Sequence, residues 1–230
     1  MRCNICGGSK FSDMPKRPRV RCDTCGSLER TRVVALWITK HLRFGDDARI
    51  LHFAPERGLS TMLRAMAGPR YRAVDIEPSR YPGLPVERFD LCKDVFQLEP
   101  GTYDLIIHNH VLEHIECNYS IVLIRLAQAL TATGSMLFTV PILQGQFTDE
   151  LINASLEEKR ARFGPMLHVR RFGTDFLQQT LGMIFRLPER YDLLAHFSAE
   201  ELREANVPEH HWRSYTGASV IHVRRADLRV

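Results

Sequence analysis

The sequence predicts an α/β fold: a doubly wound parallel sheet of seven strands, covered by helices on both faces and preceded by a small metal-binding module. Three observations lead there. From residue 49 onward, short apolar runs alternate with helical patterns, and that alternation builds a parallel sheet with helices packed on it. The run 105–107 breaks off into Asn109, His110, Glu113 and His114. Such a polar cluster falls at the carboxyl end of a strand, where ligands bind in open α/β sheets. Finally, the amino terminus carries two Cys-x-x-Cys pairs.

Those pairs are Cys3 with Cys6 and Cys22 with Cys25, fifteen residues apart. Two residues between thiolates let one tight turn aim both sulfurs at a single tetrahedral ion, and two such knuckles complete a four-thiolate shell. Glycines follow each pair (Gly7 and Gly8, then Gly26) and suit the turn around a metal. The ion expected from this spacing is zinc. With every position filled by protein it is structural, and it supplies folding energy that so small a knob cannot draw from a core.

Beyond the knob, Ser27 is expected to cap a helix reaching about residue 42, with Val33, Val34, Trp37 and Ile38 at helical spacing. Residues 49–54 read as the first strand and 59–67 as a helix. Residues 71–75, 86–91 and 103–108 read as the second to fourth strands. An apolar helix over 119–130 leads to a fifth strand, 135–140. Between 141 and 172 polar residues dominate. A helix is expected at 174–181, a sixth strand at 183–187, a capping box at Ser198-Ala-Glu-Glu201, and a last strand at 218–223. Cys92 and Cys117 read as lone cysteines serving as small apolar residues.

Composition narrows the function classes. The 230 residues suit one substantial domain with an accessory module, 44% apolar content fills a sizeable core, and 25% charge gives a polar surface. No apolar run approaches the roughly 18 residues of a spanning helix. The start lacks a secretory h-region, so a cytoplasmic location is expected. The formal charge of +4 falls to about +2 once four thiolates hold a divalent ion, which is weak support for nucleic-acid binding. The basic charge is uneven, however: residues 1–32 hold eight Lys/Arg against three acids, with Lys16, Arg17, Arg19 and Arg21 clustered.

Four strand ends supply a ligand site in chain order. After the first strand, Ala54 and Gly58 are small residues that let backbone approach a ligand, and Glu56 is a carboxylate suited to an ammonium. Asp75 follows 21 residues after Ala54, a separation at which an acid accepts both ribose hydroxyls. Asp90, beside Leu91, ends the third strand, where it can meet an adenine amino group. Asn109 and His110 end the fourth.

These residues closely resemble a bacterial group of class I S-adenosylmethionine-dependent methyltransferases that carry an amino-terminal four-cysteine knuckle. The resemblance rests on Cys22-x-x-Cys25-Gly-Ser-x-Glu29-Arg30, Leu51-His-Phe-Ala-Pro-Glu56 and Asn109-His-Val-Leu-Glu-His114. It extends to Phe147-Thr-Asp-Glu150, Glu158 with Arg160, and Phe163-Gly-x-x-x-His168-Val-Arg170-Arg-Phe-Gly-x-Asp175. It covers most of the chain to about Gly182. It implies a Rossmann-like sheet over 31–230, with the zinc knuckle at 1–30. It also implies that Ala54, Glu56 and Gly58 line the methionine end of S-adenosylmethionine, that Asp75 holds the ribose, and that Asp90 and Leu91 lie near the adenine. The first loop lacks the usual Gly-x-Gly.

Methyl transfer is an in-line displacement, and an oxygen acceptor must lose a proton. His114 and His168, with Glu113, are the candidates for that work, while His110 is placed to contact the cofactor. The 141–172 segment is the expected lid and acceptor-binding insertion, with Thr148, Arg170 and Arg171 offered to a small-molecule or saccharide acceptor. Two alternatives stay open: an RNA methyltransferase guided by the basic knob, and a non-catalytic Rossmann-like binding protein. An NAD-dependent oxidoreductase is disfavoured by the missing Gly-x-Gly-x-x-Gly.

Overall fold

The computed structural model describes residues 1–149, 153–164 and 167–229; Glu150, Leu151 and Met166 of the expected lid lie outside the described residues. The knuckle contains a hairpin, β1 (Phe11–Met14) and β2 (Arg17–Cys22), and leads into α1 (Glu29–His41). Leu28, not Ser27, occupies the N-cap of α1. The Ser27 hydroxyl faces the Cys3 and Cys25 sulfurs instead, 3.2 Å from each, because the knuckle turns directly into the helix.

Then come β3 (Ile50–Phe53), α2 (Arg57–Ala67), β4 (Tyr71–Asp75), β5 (Glu87–Arg88), β6 (Tyr103–Asn109), α3 (Tyr119–Ala129) and β7 (Leu130–Thr139). The insertion holds β8 (Ile142–Leu143), α4 (Leu156–Phe163) and β9 (Phe172–Gly173). It is followed by α5 (Leu181–Ile184), α6 (Ala199–Glu204) and β10 (Ile221–Arg224). The central sheet runs β10-β7-β6-β3-β4-β5, all parallel except β10. The chain winds outward from β3 to β5 and then returns to the other side of β3 as β6. The order therefore reverses between β3 and β6, which is where an open α/β sheet leaves a crevice at its carboxyl edge.

Among the described residues this sheet has six strands, not seven. Residues 183–187 do not form the expected strand, and only Phe185 makes a bridge, to Leu228. The backbone N–H groups of Gly182 and Phe185 are spent locally on Leu177 and Leu181, which closes a helical turn instead. Nor is 174–181 a helix: a single 3-10 turn at Thr174–Phe176 precedes irregular backbone. The capping box at Ser198 and Glu201 is formed and opens α6.

Pleating sends successive side chains to opposite faces. Leu105 and Ile107 of β6 join Ile50 and Leu137 beneath α1 and α2, while Ile106 joins Leu51, Met136 and Phe138 beneath α3. Arg32 of α1 is fully buried and donates to the carbonyls of Val20, Ser27, Ala205 and Asn206, at 2.7 to 2.9 Å. One guanidinium thus fastens the knuckle to the carboxy-terminal third of the chain.

His108 is the odd group in this core. It stacks on Phe138 with ring centroids 4.8 Å apart, and neither ring nitrogen has a hydrogen-bond partner. Burial pulls its pKa down to about 3. A depressed histidine is neutral when folded. Its contribution to stability is therefore complete above its ordinary value of 6.5 and is lost as pH falls toward about 3. Replacing His108 with Phe is expected to make the acid limb of stability against pH shallower, as read by chemical denaturation between those limits; an unchanged acid limb would contradict this assignment.

Candidate active site

The crevice begins at Ala54, which takes a left-handed conformation (φ 47°) while its N–H donates to Val74 of the neighbouring strand. That turn brings Glu56 to the head of α2. Its carboxylate accepts from Asn109 Nδ2 at 3.1 and 3.3 Å and from the Thr31 hydroxyl at 3.3 Å, and it lies 3.2 Å from His52 Nε2. Thr139 donates to the Asn109 carbonyl oxygen at 3.2 Å, which fixes the amide so that its nitrogen faces Glu56. Burial opposes charge on Glu56. The His52 hydrogen bond, with the charges of His52 and Arg30, outweighs it and holds the carboxyl below its usual range.

Arg30 escaped the residue-by-residue reading although it lies in the quoted Gly26-Ser-x-Glu29-Arg30 motif. Its buried Nε has no hydrogen-bond partner, and its charge acts on Glu56, His110 and Glu113. Position alone, the second residue of α1, gives no sign of this. Gly58 also serves the knuckle. A Cβ there would lie 2.9 Å from Cys25 Cβ and 3.0 Å from its sulfur, so this glycine lets the knuckle sit against α2.

Asp75 is at the end of β4, with one oxygen accepting from the Glu77 N–H at 2.8 Å and the other from the Tyr81 hydroxyl at 2.7 Å. Asp90 is buried and turned partly inward: it accepts from the Cys92 N–H at 3.0 Å and lies 3.6 Å from Lys93 Nζ. Leu91 is buried beside it.

Beyond β6, residues 110–117 form a turn, and α3 starts only at Tyr119, capped by Asn118. Glu113 and His114 therefore belong to a turn and do not begin the helix. His110 is left-handed (φ 53°); its Nε2 is 2.9 Å from the Gly217 carbonyl and its Nδ1 is 3.6 Å from Glu113. Glu113 is completely buried, neither carboxylate oxygen has a hydrogen-bond partner, and burial pushes its pKa up to about 8. His114 Nε2 lies 4.0 Å from Glu113, and the His114 and His168 rings meet edge to face at 4.7 Å. Burial, with the charges of His168 and Arg80, pulls His114 down to about 4. The structure thus brings the three candidate catalytic residues together.

Arg170 and Arg171 part company. Arg170 is fully buried and donates to the carbonyls of Leu112 and Cys117, on either side of Glu113 and His114, and to Asp149 at 3.1 Å. It also sits over the Tyr119 ring. All its directed bonds stay inside the protein, where it holds the turn. Thr148 and Arg171 pair through their backbones, while the Arg171 guanidinium reaches the Gln144 carbonyl. The insertion grips the turn at two further points, Val169 N–H to Glu113 O at 2.8 Å and Lys159 to Glu116. Cys92 and Cys117 are not lone thiols but are joined in a disulfide that ties the same turn to the loop after β5.

In the knuckle, one ligand atom from each of Cys3, Cys6, Cys22 and Cys25 lies within 4.8 Å of the others, and the Cys3–Cys25 and Cys6–Cys22 sulfurs are 3.6 Å apart. A tetrahedral shell at a Zn–S distance of about 2.3 Å separates its sulfurs by about 3.8 Å, so the cage is of the right size. Of the basic cluster above it, Arg17 is committed to Glu29, while Lys16, Arg19 and Arg21 are exposed. Among the described residues no helix is long and apolar enough to cross a membrane.

No protein-family model matches this chain, and none of the curated proteins does. Solved structures do. A SAM dependent methyltransferase from Archaeoglobus fulgidus is similar over 84% of this chain and 92% of that one, at 15% identity and a TM-score of 0.46. Coclaurine N-methyltransferase, bound to N-methylheliamine and SAH, is similar over 76% of this chain and 53% of its own, at 13% identity and a TM-score of 0.45. The DszA carbon methyltransferase is similar over 49% of this chain at 20% identity and a TM-score of 0.34. The chain spans about a third of the length of that protein and of two further methyltransferases.

The contrast between the two arginines is testable. Arg170→Ala strips the partner from the Leu112 and Cys117 carbonyls and is expected to cost about 3 kcal/mol of stability. Arg171→Ala is expected to cost under about 1 kcal/mol. Equal losses in chemical denaturation would contradict the positioning role of Arg170.

Proposed function

We propose that this chain is an S-adenosylmethionine-dependent methyltransferase. Its acceptor, in this reading, is a polar small molecule or saccharide methylated at oxygen, and a structural zinc holds the knuckle at 1–30 while residues 31–230 form the transferase domain. The observation that carries the proposal is the ionised Glu56, bonded to Asn109 and acted on by Arg30, at the reversal between β3 and β6. A free amino-acid end carries an ammonium and a carboxylate together, and Glu56 with Arg30 offers both complementary charges at one strand edge. Asp75, on the adjacent strand, keeps acceptor lone pairs for ribose hydroxyls beside its Tyr81 and Glu77 bonds. Asp90 and Leu91 follow in the loop just after β5, for the adenine.

When bound, S-adenosylmethionine supplies an electrophilic methyl group. The chain's own work is alignment of the acceptor and removal of its proton. His114, held well below its ordinary range, is neutral at neutral pH and presents a lone pair to an acceptor hydroxyl. Glu113, raised to about 8, is protonated there, so it adds no negative charge against a developing alkoxide. Arg171 and Thr148 are the insertion's groups for the acceptor. Zinc fits the knuckle's four sulfurs and would supply folding energy to it. Against a purely structural role stands Glu113: a scaffold gains nothing from a buried carboxyl without partners.

Titrating S-adenosylhomocysteine into zinc-replete protein tests the reading. Micromolar binding is expected, and Asp75→Ala is expected to weaken it by about tenfold or more, since two charge-assisted bonds to the ribose are lost. A folded wild-type chain that ignores the ligand would overturn the proposal.

A further inference from the structure

The buried, partnerless Glu113 calls for something to face it. Its two oxygens are closed to solvent and lack any hydrogen-bond donor, although donors are not scarce nearby. What does surround it is a set of metal-ligating atoms: one ligand atom each from Glu113, His114 and His168 fall within 4.8 Å of one another. We propose that Glu113, His114 and His168 form a second metal centre, taking a divalent first-row transition ion through one carboxylate oxygen and two imidazole nitrogens.

Chemistry and geometry both favour an ion over a chance cluster. One carboxylate and two imidazoles on one side of an ion leave the remaining positions open, a donor set that suits divalent first-row transition ions. It differs in kind from the four thiolates of the knuckle, which leave no open position. The ligand atoms stand somewhat wider than ligands on a common ion, which lie about 3–3.5 Å apart at metal–ligand distances near 2.1 Å. His114, the most exposed of the three with 38% of its side chain accessible, is free to close that gap by rotation. The backbone around it is not free. Arg170 fixes the carbonyls of Leu112 and Cys117, the Val169 N–H fixes that of Glu113, and the disulfide fixes Cys117. A held backbone with one adjustable ligand is the arrangement a metal site needs.

This inference deepens the methyl-transfer reading and rests on it only for its purpose. It replaces the roles of Glu113 and His114 whenever an ion is bound: Glu113 gives up its proton and His114 its lone pair to the ion, and an acceptor oxygen at an open position becomes more acidic there. Metal binding itself can be measured without any methyl transfer. Protein brought to one zinc per chain by mild chelation, with the four-thiolate knuckle filled and the more open site emptied, is dialysed against cobalt(II) and analysed for metal. The wild type is expected to retain one zinc and one cobalt per chain. Glu113→Gln and His114→Ala are each expected to keep the zinc and lose the cobalt; the exposed position of His114 keeps the fold intact even where the buried change at Glu113 does not. A wild type that retains no cobalt, or a His114→Ala variant that retains it fully, would overturn the proposal. Titration of S-adenosylhomocysteine into the same samples reports separately on the cofactor reading, so the two can fail independently.

Discussion

Everything at the carboxyl edge of this sheet is organised around the contact between the Asn109 amide and the Glu56 carboxylate. Topology makes that contact available. Because the strand order reverses between β3 and β6, the loop after β3 and the end of β6 face each other across an open crevice. Chemistry then makes it directional. Thr139 fixes the amide oxygen, the amide nitrogen turns to Glu56, and His52 and Thr31 take up further positions on the carboxylate. A carboxylate held this way stays charged in a semi-buried place, where an unpaired one would protonate. Glu113, only a few residues beyond Asn109, shows that alternative: without donors, its pKa rises.

Those two acids divide the crevice into unlike halves. Around Glu56 and Arg30 the groups are charged and hydrogen-bonded. Around Glu113, His114 and His168 burial holds Glu113 protonated and His114 neutral at neutral pH, and the His114 ring meets that of His168 edge to face. The insertion between β7 and α5 enforces the second half. Arg170, Val169 and Lys159 each reach back to the turn after β6, and the insertion is closed at its base by pairing of β8 with β9. That close pairing requires a glycine: a Cβ on Gly173 would lie 2.1 Å from the Gly145 carbonyl oxygen.

Much of this was legible in the sequence, and the failures have physical reasons. Apolar runs mark β3, β4, β6 and β7 because a strand buried on both faces is mostly apolar, with His52 and His108 the buried exceptions. The cysteine spacing marks the four-sulfur cage because two residues suffice to turn both thiolates to one point. The burial of Arg170 was not legible because an arginine among polar residues reads as surface; only the fold places the Leu112 and Cys117 carbonyls around its guanidinium. Cys92 and Cys117 misled because 25 residues of sequence separate them while their Cα atoms lie 5.6 Å apart. The contact of Gly58 with Cys25, from another part of the chain, was not legible either, because the sheet's pattern speaks only of the loop it opens. The strand expected at 183–187 failed because local hydrogen bonds completed a helical turn first. For Arg170, the two cysteines and Gly58 a long-range contact, invisible to periodicity, decided the surroundings; for 183–187 it was the local backbone bonds.

The central claim is that Glu56 binds the ammonium of an amino-acid end at the sheet's reversal. Comparing S-adenosylhomocysteine with 5′-methylthioadenosine, which lacks that end, tests it in wild type and in Glu56→Gln, a change that keeps the side chain's shape but not its charge. The account predicts that Glu56→Gln weakens S-adenosylhomocysteine by about tenfold or more and leaves 5′-methylthioadenosine unchanged. Equal weakening of both ligands, or of neither, would contradict it.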